Sequence, residues 1–101
     1  MLDGGLEPAT DLLRSSIEAA ADILKTLGAT EVYVFGSAVN GSLRVDSDVD
    51  LAVSGLPPSV FFRAASKASD ALGRPADLVD LDDESPAVKY LRNSGELVRV
   101  R

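Results

Sequence analysis

The chain has 101 residues, no cysteine and no histidine, and sixteen acidic against ten basic side chains, for a formal net charge of −6. Disulfides, thiolate nucleophiles, zinc sites of the Cys/His kind and Ser-His-Asp or Cys-His machinery are thereby excluded, so acid/base and metal chemistry would rest mainly on carboxylates. The acidic balance argues against direct nucleic-acid binding, which ordinarily uses a basic face, and no apolar run approaches the ~20 residues that span a bilayer. With 46% hydrophobic and 26% charged residues the composition is globular. The length predicts one domain over residues 1–101, burying roughly 60–65% of its unfolded surface. Met1-Leu2-Asp3-Gly4-Gly5-Leu6-Glu7 shows no basic region followed by an apolar core, so no leader is expected. The expected location is the cytoplasm, although a lack of cysteine fits any compartment.

Thr10 or Asp11 can cap a first helix running to Leu27, with Leu13, Ile17, Ala20, Leu24 and Leu27 at helical spacing and Gly28 in the C′ position. Residues 31–35 read as the first strand. Residues 37–47 are irregular or hold a short helical turn, and Asn40-Gly41 is a turn signal. Residues 48–54 read as the second strand, ended by Gly55 and Pro57-Pro58. Ser59 can cap a second long helix closed by Gly73, and residues 76–81 form the third strand. Ser85-Pro86 is an N-cap followed by proline at the first helical position, opening a short helix to about Asn93 that Gly95 ends. Leu97-Val98-Arg99-Val100 suits a final strand at a sheet edge. Strands spaced by helices point to a small sheet with helices packed against it.

The chemistry concentrates between Phe35 and Val53. The apolar run Val32-Tyr33-Val34-Phe35 feeds Gly36-Ser37, and after ten residues comes Asp48-Val49-Asp50. A Gly-Ser turn after a strand offers backbone N–H groups and a hydroxyl to phosphate oxygens. Residues i and i+2 of a strand share a face, so Asp48 and Asp50 project together. Aspartate is depleted in strands, and like charges this close repel unless a cation neutralises them. Two adjacent carboxylates are hard oxygen ligands suited to Mg²⁺, which takes one or two of them plus substrate phosphates. The plainer alternative is a solvated strand face.

The pattern G-S-(ten residues)-D-V-D resembles the signature of nucleotidyltransferases related to DNA polymerase β. The short chain and the run Asp46-Ser47-Asp48-Val49-Asp50-Leu51-Ala52-Val53 resemble the minimal nucleotidyltransferase (MNT) group within it, and the likeness extends from about Ala9 to Val100. It implies an α+β nucleotidyltransferase fold, αβαβαβ in order, with a small mixed sheet flanked by helices and the site at one end. It also implies that Asp48 and Asp50 hold the metal gripping the triphosphate, and that Gly36 and Ser37 hold phosphates. Ala76-Asp77-Leu78-Val79-Asp80-Leu81 matches the strand of the third carboxylate. Asp77 would then be a third metal ligand on the base side, and Asp80 would point the other way.

Family members often carry basic residues soon after the Gly-Ser pair, where this chain has Ala38 and Val39. That leaves Arg44 as the intervening loop's cation, a candidate for phosphate contact or an ordinary solvated arginine. Phe61, Phe62, Tyr33 and Phe35 are expected in the core, Tyr90 in the core or facing a partner, and the run Asp82-Asp83-Glu84 in solvent.

The resemblance implies metal-dependent transfer of a nucleoside monophosphate, AMP from ATP with Mg²⁺, to a hydroxyl acceptor. Small nucleotidyltransferases of this kind are commonly paired with a helical HEPN-domain protein in a toxin–antitoxin system. It therefore implies an antitoxin that adenylylates a tyrosine of its HEPN toxin. Two alternatives stay open: a non-catalytic antitoxin that binds its partner through a vestigial nucleotide site, and a small-molecule nucleotidyltransferase whose acceptor pocket a homo-oligomer would complete.

Overall fold

The computed structural model describes residues 2–40 and 47–101, with side chains described for 12–39 and 47–101. The Asn40-Gly41 turn signal, Arg44 and Asp46 fall wholly or partly outside that range. The elements in chain order are α1 (Leu2–Thr26), β1 (Glu31–Phe35), α2 (Ser37–Asn40), β2 (Val49–Ser54), a 3₁₀ turn (Pro58–Val60), α3 (Phe61–Leu72), β3 (Ala76–Asp80), α4 (Pro86–Ser94) and β4 (Val98–Arg99). Among the described residues, four strands form one sheet in the order β3-β2-β1-β4. β1 runs antiparallel to both β2 and β4, while β2 and β3 are parallel. The mixed sheet flanked by helices is the expected α+β nucleotidyltransferase fold. No helix among the described residues is long and apolar enough to cross a membrane.

Alternation along β1 divides the core in two. Val32 and Val34 point to one face with Val49, Leu51 and Val53 of β2. There they meet Ile17, Ala20, Ala21 and Leu24 of α1 and Ala64, Ala68 and Leu72 of α3. The spacing 17, 20, 21, 24 is one stripe of an amphipathic helix, and its alanines let α1 lie close to α3. Tyr33, Phe35, Ala52 and Val79 point to the other face, where Leu81, Leu97 and the α4 residues Val88 and Leu91 cover them. Among the described residues, two long helices thus close one face, and one short helix lies over the other.

Several predicted boundaries hold closely. Gly73 is left-handed (φ 69°) and its N–H reaches the carbonyls of Ser69 and Asp70. The Ser85 hydroxyl accepts from the Val88 N–H (3.3 Å) with Pro86 at the first helical position. Others differ. α1 begins at Leu2, so Thr10 and Asp11 lie inside it and do not cap it. The helix continues through Gly4, Gly5 and Pro8, residues of poor helix propensity, which is why the sequence pattern places its start later. The 3₁₀ turn takes up Ser59, so α3 starts at Phe61 with no side-chain cap.

Leu24 is fully buried between α1, α3 and the sheet, whereas Leu12 on the same helix is 70% exposed. Leu24→Ala is expected to cost about 2–5 kcal/mol by the transfer and cavity terms. Leu12→Ala should change stability by less than about 0.5 kcal/mol. Urea denaturation of both variants checks the assignment of the buried stripe.

Candidate active site

The site grows from the sheet register. Phe35 stands opposite Asp50 in the β1–β2 pair, and Asp50 stands beside Asp77 in the β2–β3 pair. Paired residues share a face, so Phe35, Asp50 and Asp77 form one row across three strands, on the face that α4 covers only partly. The same rule explains the hydrophobic neighbours: Ala52 and Val79, the next pair on that face, are in the core under α4. Asp77 thus joins the Asp48-Asp50 pair by position, although twenty-six residues of chain separate it from Asp50.

Gly36 follows Phe35 with φ 74°, a conformation that side chains disfavour. A Cβ placed on it would lie 2.3 Å from Asp50 Oδ2. No side chain fits there, so glycine is required both by φ and by the approach of the backbone to the carboxylate. Ser37 opens the short α2, whose turn is closed by a 3.0 Å bond from the Val39 N–H to the Gly36 carbonyl. The Gly-Ser turn and the carboxylate row are consequently in direct contact.

Asp48 is exposed and lies just before β2, Asp50 is half-buried within it, and Asp77 is exposed on β3. Burial pushes the Asp50 carboxyl above its ordinary value, and the charges of Asp77 and Asp48 push it further in the same direction. That is the signature of acids held together without a counter-charge. Among the described residues no three acidic side chains are gathered into a ready-made metal cluster. The donor set nevertheless fits a hard divalent cation: carboxylate oxygens from adjacent strands, with mutual repulsion that a cation would relieve.

Other acids are accounted for differently. Asp80 accepts from the Asp82 N–H through Oδ1 (2.9 Å) and shapes the turn after β3. Asp82, expected in a solvated run, accepts from the Gly55 N–H through Oδ2 (2.7 Å) and ties the end of β2 to that turn. The tie joins residues twenty-seven apart, and no local pattern marks it. Tyr33 and Phe35 pack under α4 and Phe61 is half-buried, but Phe62 is 87% exposed, against the expectation of a core position. Consecutive helix residues point about a quarter-turn apart, so Phe61 and Phe62 cannot both face the core. Tyr90 is 70% exposed. Arg44 lies outside the described residues.

Two outcomes follow from this geometry. Gly36→Ala should destabilise the fold by more than about 1 kcal/mol, since it adds strain to a collision with Asp50, and thermal melting measures it. A carboxyl whose folded pKa is raised contributes stability that is fully present below its ordinary value of 3.8 and is lost as pH rises through the folded pKa. In metal-free buffer Asp50→Asn should therefore lose less stability than the parent chain on going from pH 4 to pH 7, and melting curves across that range test it.

A sequence profile described as "Polymerase beta, Nucleotidyltransferase" matches residues 18–99, from α1 to β4. No curated protein matches the sequence. Among solved structures, the chain is similar to a minimal nucleotidyltransferase at 30% identity, over 88% of this chain and 93% of that one, with TM-score 0.72. It is also similar to a toxin–antitoxin crystal structure with AMP-PNP at 26% identity, over 83% of this chain and 72% of that one, with TM-score 0.68. A third likeness is to a structure of the tri-AMPylated HEPN toxin of Shewanella oneidensis with MNT antitoxin. It has 23% identity over 91% of this chain and 71% of that one, with TM-score 0.62, and speaks for the fold alone. The profile covers the Gly-Ser turn and all three aspartates of the site, and the chain belongs to the polymerase beta family of nucleotidyltransferases.

Proposed function

We propose that residues 1–101 act as one nucleotidyltransferase domain that moves AMP from ATP to a hydroxyl group of a protein partner. The carrying observation is the row Phe35, Asp50, Asp77, with Gly36 pressed against the Asp50 carboxylate. Asp48 and Asp50 would hold Mg²⁺, with Asp77 as a third ligand. When bound, the metal would neutralise charge on the triphosphate and on the leaving pyrophosphate. Gly36 and Ser37 would hold the β- and γ-phosphates through the turn's N–H groups and the Ser37 hydroxyl, and Arg44 is a further candidate for phosphate contact. Asp77 would orient the acceptor hydroxyl and take its proton. The acceptor oxygen forms a bond to the α-phosphorus, the bond from that phosphorus to the β-phosphate oxygen breaks, and pyrophosphate departs. Positioning and charge neutralisation would carry most of the rate.

The proposed partner is a HEPN toxin, the proposed acceptor a tyrosine on it, and the proposed role that of antitoxin in the cytoplasm. The AMP-PNP in one similar toxin–antitoxin structure supports that choice of nucleotide and of a toxin partner. The sheet supports it too, since among the described residues α4 is the helix that packs on the face bearing Asp50 and Asp77, and Asp77 itself is exposed. A second reading, a non-catalytic antitoxin, draws on Ala38 and Val39 where a phosphate-gripping cation would stand, Val39 being exposed. The three retained carboxylates oppose it, because charges kept together at a cost in stability are hard to explain without a ligand.

The chain, mixed with the protein encoded by its gene neighbour, ATP and Mg²⁺, should add AMP to that protein, read as intact mass. Asp48→Ala/Asp50→Ala should add none, and Asp77→Asn should slow the transfer by about 10²–10⁴-fold. A tight complex with no mass gain, unchanged in the double variant, would decide for the binding reading.

A further inference from the structure

Within the proposed metal pair, Asp50 is set by the sheet ladder, but Asp48 is not. β2 begins at Val49, and residues 47 and 48 belong to no strand. An exposed carboxylate on unpaired chain samples many positions, and ordering it on binding costs entropy. Metal ligands are accordingly oriented by groups behind them, and losing such a group weakens the metal.

Here two hydrogen bonds from one connection bracket Asp48. The Pro75 carbonyl accepts from the Val49 N–H (3.1 Å), on the C-terminal side. On the N-terminal side Arg74 Nη1 donates to the Ser47 carbonyl (3.4 Å). The connection from α3 to β3 that carries Arg74 is itself fixed. Gly73 closes α3 in the left-handed conformation, and the Ala76 N–H donates to Ser69 Oγ (2.9 Å), which donates to the Ala65 carbonyl (2.9 Å). Arg74 therefore reaches toward the acidic site from a rigid base, three residues before Asp77 in the chain.

We propose that Arg74 is a positioning residue for the metal-holding carboxylates. Its guanidinium fixes the main chain at Ser47 and so sets the direction of Asp48 beside Asp50. The inference rests on the metal reading of Asp48 and Asp50 given above. Lysine would supply a single mobile ammonium in place of the guanidinium that donates to the Ser47 carbonyl.

The test is Mn²⁺ binding to the full chain, followed by the electron paramagnetic resonance signal of free Mn²⁺, with thermal melting of each variant in metal-free buffer. Asp48→Ala/Asp50→Ala should abolish binding. Arg74→Ala should raise the Mn²⁺ Kd by about tenfold, its metal-free Tm staying within about 2 °C of the parent chain. Arg74→Lys should recover part of the affinity. Unchanged Mn²⁺ affinity in Arg74→Ala would overturn the proposal. So would a fall in affinity matched by a fall in metal-free Tm that Arg74→Lys does not repair, because Arg74 would then merely support the fold. Parent-like binding by Asp48→Ala/Asp50→Ala would bring down the metal reading itself, and the role of Arg74 with it.

Discussion

Pairing of β1 with β2 sets Phe35 opposite Asp50, and the next residue, Gly36, turns so tightly that its Cα faces the Asp50 carboxylate. The turn that would hold phosphate and the acid that would hold metal are two sides of one contact. Shifting the register by one residue would send Asp50 to the opposite face, into the apolar layer between the sheet and α1 and α3. The hydrophobic alternation of β2 guards against that slip, since Leu51 and Val53 would be turned away from the core they share with Val32 and Val34 of β1. The core therefore specifies the site, because burying those four side chains leaves Asp50 no other direction.

The site also carries a cost built into its chemistry. Asp50 is partly buried near two other carboxylates, and its pKa is raised first by that burial and then by the repulsion of Asp77 and Asp48. Proteins tolerate such clusters where a ligand offsets the repulsion, and perturbed acids in a cleft are functional candidates for that reason. Asp80 and Asp82 show the contrast: each is an acid on or just after the same strand, and each accepts a backbone N–H and shapes a turn. Composition alone does not separate the two groups; hydrogen-bond partners do.

Much of the architecture was legible along the chain. The β1 span, the glycine after α3 and the Ser85-Pro86 start of α4 rest on local chemistry: alternation, left-handed glycine and capping; the second strand, expected from Asp48, begins at Val49 and leaves Asp48 outside the ladder. What was illegible depended on competition. Thr10 is a good cap in isolation, but the helix runs on to Leu2. Ser59 is another, but the backbone there closes a 3₁₀ turn first. Phe62 looks like core by type, yet it lies beside Phe61 on a helix whose buried stripe is Ala64, Ala68 and Leu72.

The sequence by itself determined the inventory of chemistry and its local settings: carboxylates, with no histidine or cysteine, as the groups available for acid/base and metal chemistry, glycine at position 36, and Asp48 and Asp50 two residues apart. These follow from residue type and short-range backbone geometry, which no distant contact changes. Only the tertiary structure decided that Asp77 stands next to Asp50, that Gly36 touches Asp50 Oδ2, and that Arg74 reaches the carbonyl before Asp48. Those neighbours come from strand order and register, which are set by how the two faces of the sheet bury their side chains, and burial is a property of the whole chain.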